Sequence, residues 1–547
     1  MANNNYTKWS QYQLAVFDFV LDAKNGNLVV NAVAGSGKTT TILYTAVLAL
    51  DTLPKTMRTD WKTGETIRQS EILFLAFNRS IVKELNEKLA EKYNVRAGKD
   101  GIDVKTLHAH GMSALSKMYR ELFKVYAPKN WVDDKKWDNI IDRKALSLSC
   151  RSFDNNEGLM TAFISNCKQL FDKCRVELVR AGQTNKIESV AEHYGIDLYA
   201  DEVEVVSNLL AGAYEINRDN LSSIDYTDMV CIPAFNRNNR LWGKLIPKYK
   251  LIFVDECQDL NNAQRELLLG SMEDNGRFVA VGDPKQAING FAGASCDSFE
   301  LLKGLAGGNE LGLSVCYRCG KAMIDLAQQI VPQITAFEDA CEGIVRHTDK
   351  IELSAGDMVL CRKSAPLVGL CLKLIANGIG AKVKGRDIAD GLVALINKCK
   401  VKDIDRLFIA LDKEVEKLYR KLETAKVENI ENNPRLLALQ DKVDCIKVLA
   451  GNAKNANDIV ANLERLFSDD MENKNQFVTL STIHKAKGLE ADNVTIILPS
   501  KLPLTYKGQK EWEYQQEKNL EYVAYTRAKK TLTFVELDEQ QLESYKF

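Results

Sequence analysis

Apolar residues fall along this chain in two rhythms. Short solid runs bounded by polar residues predict buried strands at Leu28-Val29-Val30, Ile72–Phe77, Tyr249–Val254, Arg277–Val281, Asp357–Cys361, Val494–Leu498 and Thr531–Val535. Between the first of these the spacing turns helical. Thr41–Leu50 is apolar and Ala-rich, and Ser80–Tyr93 is amphipathic. Val104–His108 reads as a further strand running into a loop. Strand and helix in alternation imply a parallel sheet with helices on both faces.

Two stretches break this order. From 112 to 223 strand-like runs vanish, and aromatic and basic residues interleave at Lys117, Tyr119, Arg120, Phe123, Lys124, Tyr126, Lys129 and Trp131. Such interleaving suits nucleic-acid stacking and phosphate contact, and it equally suits helices with aromatic cores and solvated lysines. From 391 to 473 the sequence is helical again. Ile404, Phe408, Leu411, Val415, Leu418 and Leu422 form one stripe, and Leu436, Leu439, Val443, Ile446 and Leu449 another, with Asn432-Asn433-Pro434 between them. That predicts a helical hairpin with a coiled-coil-like seam. The plan is α/β: two parallel-sheet units, each interrupted by a helical insertion. The first unit takes 1–111 and 224–306 with insertion 112–223. The second takes 307–390 and 474–547 with insertion 391–473.

Composition narrows the class. With 547 residues, 45% hydrophobic and 27% charged, the chain is long enough for several ordinary globular domains. Its formal net charge of -1 means that a nucleic-acid partner would meet local basic grooves, not a globally positive surface. The first residues carry no apolar signal core and no run has the length of a membrane span, so a cytoplasmic protein is expected: nucleoid-associated if bacterial or phage, nuclear if eukaryotic. Thirteen cysteines, an odd number scattered singly, are expected as free thiols. Cys316 and Cys319 form a lone C-x-x-C with no second ligand pair for a metal.

The chemistry begins after the first strand. Asn31-Ala-Val-Ala-Gly-Ser-Gly-Lys-Thr-Thr40 sits between a strand and a helix. Gly35 and Gly37 let backbone N–H groups turn inward, and the helix start adds partial positive charge. The loop Ala34, Gly35, Ser36, Gly37, Lys38, Thr39 and Thr40 therefore reads as a phosphate cradle. Lys38 reaches the β- and γ-phosphates and Thr39 ligates Mg²⁺, with Ala32 where the usual pattern opens on glycine. The run Leu251–Val254 then feeds Asp255-Glu-Cys-Gln-Asp259. Asp255 is placed to hold Mg²⁺, and Glu256 to act as base for an attacking water.

These acids resemble motif II of superfamily 1 helicases, in the branch of UvrD, Rep and PcrA. Other matches follow in order: Ser10–Gln13 (the Q motif), Phe74–Ser80 (motif Ia), Lys105–His108, Ile224–Asp228, Val281–Ile288 (motif III), Tyr317-Arg318 (motif IV), Thr479–Glu490 (motif V) and Tyr522–Lys529 (motif VI). The wording at Phe77–Ile81 and Lys105–His108 leans towards the F-box DNA helicase-like subgroup. The resemblance implies two RecA-like motor domains that use ATP and Mg²⁺. It implies that Gln13 reads adenine, Gln286 couples γ-phosphate to DNA, Tyr317 packs on the adenine, and Arg318 and Arg527 are arginine fingers. Gly488 and Glu490 would face the nucleotide, Glu490 by contacting the ribose or by polarising the site from the second unit. Phe77, Asn78, Thr106, His108, Thr482 and His484 match positions that touch DNA, and Phe291 can stack a base.

Two departures stand in motif III, where Asn289 replaces an aromatic and Ala292 an arginine. The second insertion is shorter than in UvrD-like proteins, and no room is expected for a nuclease domain after motif VI. The function implied is an ATP-dependent DNA helicase or translocase, a monomer stepping 3′-to-5′ along single-stranded DNA and acting on tailed or forked duplexes, with hydrolysis in the cleft between the two units. A translocase that displaces proteins with little unwinding, and a nucleotide-gated DNA-binding switch, are the competing readings.

Overall fold

The structure, a computed structural model, describes residues 9–60, 63–150, 153, 157–196, 198, 201–288, 297–424, 430–450, 453–466, 476–506 and 509–545. Contacts divide the chain into two compact units, Met1–Ala32 with Gly37–Leu313, and Val33–Ser36 with Ser314–Phe547.

The first unit opens on α1 (Gln11–Leu21), closed at its start by a capping box between Ser10 and Gln13. Then come β1 (Leu28–Ala32), α2 (Lys38–Leu50), β2 (Met57–Thr59), β3 (Thr66–Ala76), α3 (Arg79–Tyr93), β4 (Asp100–Thr106) and α4 (Leu107–Phe123). Helices α5 (Lys136–Leu148), α6 (Glu157–Val176), α7 (Thr184–His193), α8 (Glu202–Ala213) and α9 (Tyr226–Phe235) follow before the sheet resumes. It does so with β5 (Tyr249–Val254), α10 (Asn262–Gly270), β6 (Met272–Gly282), α11 (Ser298–Leu305) and β7 (Glu310–Leu313). Strand order is β2-β3-β5-β6-β1-β7, with β4 also on β3. Every pair is parallel except β2–β3. Alternation along β1 explains why the sheet is covered on both sides. Leu28 and Val30 join Val16, Ile42 and Phe253 on one face, and Val29 joins Ile252 and Phe278 on the other.

Two local expectations change. Helix α2 begins at Lys38, not Thr41, because Gly37 takes the left-handed conformation (φ 75°) that starts the helix directly after the loop. After β4 there is no loop either. Thr106 Oγ1 accepts the Ala109 N–H at 3.1 Å and caps α4, so His108 lies in the first turn of a helix. That helix runs unbroken past residue 112.

Helices α4 to α10 share one core that holds Tyr119, Trp131, Trp137 and Phe171. Trp131 is 1% exposed and donates its indole N–H to the Leu221 carbonyl at 2.7 Å, while Tyr119 stacks on Phe123 at 4.3 Å. These aromatics are core. Tyr126, 71% exposed under the Arg120 guanidinium, is the aromatic of the interleaved set left open to solvent, and Lys117, Arg120, Lys124 and Lys129 are exposed with it. Inside this core lies an ionic network. Arg175 pairs with Asp225 (2.8 Å) and Asp228 (3.0 Å), and Lys136 with Asp228 (2.7 Å). Trp137 adds an indole N–H to Asp228 at 3.0 Å. Burial pushes the Asp228 carboxyl up in pKa against the pull of Arg175 and Lys136.

The second unit contains β8 (Val315–Cys316), α12 (Lys321–Ala327), β9 (Thr335–Ala336), β10 (Ile344–Thr348), β11 (Met358–Cys361), α13 (Ala365–Ala376) and β12 (Ala381–Val383). Its helical stretch is α14 (Arg386–Cys399), α15 (Ile404–Thr424), α16 (Pro434–Leu449) and α17 (Ala456–Leu466). It closes with β13 (Val478–Thr482), β14 (Ala491–Ile497), α18 (Glu511–Tyr525), β15 (Ala528–Val535) and α19 (Glu539–Ser544). The six-stranded sheet β10-β15-β14-β11-β13-β12 is parallel throughout. Helices α15 and α16 form a hairpin, with Asn433 capping α16. Leu407, Leu411, Val443 and Ile446 share a core with Val359 and Leu480 of the sheet. The described cysteines are free thiols. Among the described residues no helix is long and apolar enough to cross a membrane.

Candidate nucleotide site and strand-facing residues

In a parallel sheet the loops that leave the C-terminal ends of neighbouring strands meet. Here β5, β6 and β1 are neighbours, and each ends in a candidate motif. After β1 the loop turns through Gly35 (φ 67°) and Gly37 (φ 75°) into α2. No side chain caps α2, so its first N–H groups and helix dipole are available to an anion. Ser36 Oγ is buried without a hydrogen-bond partner, as a phosphate-cradling hydroxyl would be. Lys38 Nζ lies 3.5 Å from the Ala32 carbonyl, and Thr40 is exposed in the first turn of α2.

Thr39 Oγ1 donates to Asp255 Oδ2 at 2.8 Å, joining the loop to the end of β5. Burial and the neighbouring Glu256 push the Asp255 carboxyl up to about 6, despite the Thr39 hydrogen bond and Lys38. A buried carboxylate and a hydroxyl in contact fit a hard divalent cation such as Mg²⁺, with the loop N–H groups and Lys38 fitting the phosphates of ATP. Glu256 occupies the left-handed region (φ 53°), a costly conformation for a residue with a Cβ. After β6, Asp283 Oδ2 accepts the Gln286 side-chain N–H at 2.7 Å, and Gln286 is 4% exposed.

Gln13 stands on the other side of α2. Its Nε2 donates to Thr41 Oγ1 at 2.9 Å and its Oε1 accepts the Ser10 N–H at 3.1 Å. The proposed adenine reader therefore also ties α1 to the helix after the phosphate loop.

The remaining candidates for the nucleotide belong to the second unit. Tyr317 is 38% exposed, with its ring 5.0 Å from Phe337. Arg318 Nε donates to Glu490 Oε2 at 2.6 Å, and its Nη1 to the Thr526 carbonyl at 3.2 Å. Lys529 holds the other oxygen of Glu490 at 2.8 Å. Burial pushes Glu490 up, but Lys529 and Arg318 outweigh it and its carboxyl lies below the usual range. Arg527 is 1% exposed and donates to the Val523 and Leu489 carbonyls at 2.8 and 3.2 Å. Gly488 takes a positive φ of 83° before β14. The loop residues Val33–Ser36 group with this unit, where the Ala34 N–H donates to the Tyr522 hydroxyl at 2.8 Å and the Tyr317 N–H to the Gly35 carbonyl at 2.9 Å.

The strand-facing candidates fall into two sets. Phe77 (45% exposed) and Asn78 follow β3, Thr106 ends β4 and His108 follows it. Asn78 caps α3 through the Ile81 N–H at 2.9 Å, just as Thr106 caps α4. Both thus have a local structural task. His108 is exposed, its ring edge-on to Tyr226 at 6.4 Å. In the second unit Thr482 ends β13 and His484 follows it. Burial, Arg362 and Lys485 push the His484 imidazole down to about 3, so it is neutral at physiological pH. Phe291, and with it Asn289 and Ala292, lies outside the described residues.

Sequence reasoning assigned no role to Gln258, Tyr522 or Lys529. All stand inside quoted motifs, which was the available signal. Their bonds to Asp283, Ala34 and Glu490 were not readable, because those partners lie far away in sequence.

Comparison with known proteins identifies the family. The profile of the UvrD/REP helicase N-terminal domain matches residues 18–305, and that of the viral superfamily 1 RNA helicase core domain matches 428–536. A probable DNA helicase II homolog of Mycoplasma genitalium is 24% identical over 334 residues, 57% of this chain and 41% of that protein. The ATP-dependent DNA helicase Rep of Buchnera aphidicola subsp. Schizaphis graminum is 25% identical over 285 residues, 51% of this chain and 38% of its own. The ATP-dependent DNA helicase PcrA of Leuconostoc citreum is 23% identical over 314 residues, 56% of this chain and 37% of its own. The matched stretches thus span less than half of these relatives. Since the first profile covers more than half of the sequence, the chain belongs to the UvrD/REP helicase family.

Proposed function

We propose that this chain is a DNA-stimulated ATP hydrolase that steps 3′-to-5′ along single-stranded DNA and separates tailed or forked duplexes. The observation that carries the reading is the meeting of an uncapped, glycine-turned helix start with the Thr39–Asp255 contact, at the ends of β1 and β5, the two strands that flank β6. That arrangement suits phosphoryl transfer to water, which needs positioning and charge neutralisation more than covalent chemistry.

In this reading Lys38 and the N–H groups of α2 bind the phosphates, and Thr39 and Asp255 hold Mg²⁺, which supplies charge neutralisation when bound. Glu256 takes the proton of the attacking water, and Gln13 orients the base. Gln286 senses the strand together with Phe77, Asn78, Thr106, His108, Thr482 and His484. Arg318 and Arg527 supply positive charge to the transferred phosphoryl group. Both rest on partners of their own unit, so each must exchange those bonds to act. The names of the relatives, DNA helicase II, Rep and PcrA, support DNA as the track.

The test is ATP turnover with and without single-stranded DNA, for wild type and Lys38→Ala, followed by unwinding of 3′- and 5′-tailed duplexes. DNA-stimulated turnover abolished by Lys38→Ala, and unwinding from 3′ tails, is expected. Turnover indifferent to DNA, or unwinding from 5′ tails alone, refutes the reading.

A further inference from the structure

Among the buried side chains that the proposed mechanism leaves unused, Gln258 has the most specific surroundings. It lies in the short 3-10 turn Cys257–Asp259 after β5 and is 1% exposed. Its Nε2–H donates to Glu256 Oε2 at 2.5 Å, and its Oε1 accepts the backbone N–H of Asp283 at 3.1 Å. The amide has one acceptor end and one donor end. A carboxylate at one end and an N–H at the other leave a single orientation in which both bonds form. Asp283 in turn accepts the side-chain N–H of Gln286. Glu256, Gln258, Asp283 and Gln286 therefore make an unbroken hydrogen-bonded line between the loops after β5 and β6.

The backbone around this line is shaped to admit it. A Cβ at Gly282 would collide with Gln258 Oε1 and fall 2.8 Å from Cys257 Sγ, so glycine there is what lets the amide sit against β6. Glu256 keeps its left-handed backbone while its own N–H donates to Asp255 Oδ1 at 2.9 Å and its carboxylate is held by Gln258. Strain of this kind persists only where surrounding bonds over-determine it.

We propose that Gln258 is a positioning residue that ties the hydrolytic carboxylate Glu256 to the strand-sensing Gln286, through Asp283. The proposal rests on the roles given to Glu256 and Gln286 above. Movement of the loop after β6 is passed through the amide to the carboxylate, so Gln258 acts on how far DNA accelerates turnover, and not on how tightly ATP is held.

The experiment compares wild type, Lys38→Ala, Gln258→Leu and Gln258→Glu in full-length protein, reading kcat and KM for ATP with and without single-stranded DNA, and the thermal midpoint. Leucine removes both bonds at similar volume. Glutamate keeps an oxygen for the Asp283 N–H and sets a second carboxylate against Glu256, giving a polar second variant should leucine unfold the site. For both, the ratio of DNA-stimulated to DNA-free kcat is expected to fall about tenfold, as for loss of a hydrogen bond to a charged group, with KM within about twofold. A stimulation ratio equal to the wild type's in a folded variant, at whatever absolute rate, overturns the proposal. So does a fall in ratio that comes with a matching rise in KM. Absence of DNA stimulation in the wild type itself refutes the functional reading instead, and the wild-type arm separates the two failures.

Discussion

Replacing Arg175 with methionine tests whether the helical region of the first unit is locked by charge. The guanidinium is 3% exposed and bonded to Asp225, Asp228 and Asp172. Asp225 and Asp228 also form the capping box that starts α9, the helix packed against both α4 and α10. Methionine fills most of the space and leaves Asp225 and Asp228 buried with Lys136 as their remaining cation. Breaking a buried pair by removing one partner costs about 3–5 kcal/mol, because a desolvated charge is left behind. The expected loss for Arg175→Met is at the upper part of that range, since two carboxylates are stranded together. Urea unfolding followed by tryptophan fluorescence reads it, because Trp137 lies under the Arg175 guanidinium at 5.5 Å and donates to Asp228. Adding Asp228→Asn to Arg175→Met removes one stranded charge, and the double variant is expected to recover about 1–2 kcal/mol, the scale of coupling between residues in one network. A single variant within about 1 kcal/mol of wild type, the scale of an exposed pair, refutes the argument. So does a double variant less stable than the single one.

Two further outcomes follow from the geometry. Thr39→Val removes the hydroxyl that donates to Asp255, a hydrogen bond to a charged group worth about 1.5–3 kcal/mol, so turnover is expected to fall about tenfold or more across a Mg²⁺ titration, with Thr39→Ser near wild type. Turnover by the valine variant within twofold of wild type would remove Thr39 from the metal site. Stability should also fall in mild acid through His110, which is fully buried, bonded to Ser271 at 2.6 Å and pushed down by burial from the ordinary 6.5 to about 3. The unfolded chain binds the proton below 6.5 and the folded chain does not until about 3, so this stability is present above 6.5 and is lost as pH falls through that window. At pH 5 the loss is about 2 kcal/mol, and His110→Gln should lack it in unfolding measurements at pH 7 and 5. Equal pH slopes for the two proteins would show that His110 does not titrate this way.

Most strands legible in the sequence were central, although β4 at an edge was read and β13, buried between β11 and β12, was not. Leu28–Val30, Ile72–Ala76 and Leu251–Val254 are buried on both faces and read as solid apolar runs. Glu310-Leu-Gly-Leu313, Ile344-Val-Arg-His-Thr348 and Ala381-Lys-Val383 were not legible as strands, and they are β7, β10 and β12, the edges of the two sheets. An edge strand pairs on one side and keeps polar residues, so it carries no such run. The loop read after β4 failed for a different reason. Thr106 serves both as the last residue of a strand and as a helix cap, and nothing apolar marks that change. At the site, residue types were legible wherever backbone and side chain act locally, as at Gly35, Gly37 and Lys38. Bonds such as Gln258 to Asp283, 25 residues apart, or Ala34 to Tyr522, 488 apart, depend on strand order, which no local pattern encodes.

Strand order also separates how the two units would pass a signal. In the second unit Glu490 and Arg527 precede β14 and β15, while Thr482 ends β13 and His484 follows it. The sheet is parallel, so candidate nucleotide contacts and candidate strand contacts sit at its opposite ends. The seven residues of β14 put about 20 Å between those ends. Over that distance coupling runs through many packed side chains and whole elements, and not through one hydrogen bond. In the first unit Asp255, Glu256 and Gln286 follow β5 and β6, and Phe77, Asn78, Thr106 and His108 stand at the ends of β3 and β4, all at the C-terminal edge of one sheet. Neighbouring loops there can trade hydrogen bonds directly, as Gln258 does. A single buried amide that joins loops at the same sheet edge is therefore the shorter route, and it lies in the first unit. Substitutions at Gln258 should change the ratio of stimulated to basal turnover, whereas substitutions within β14 should alter stability before they alter that ratio.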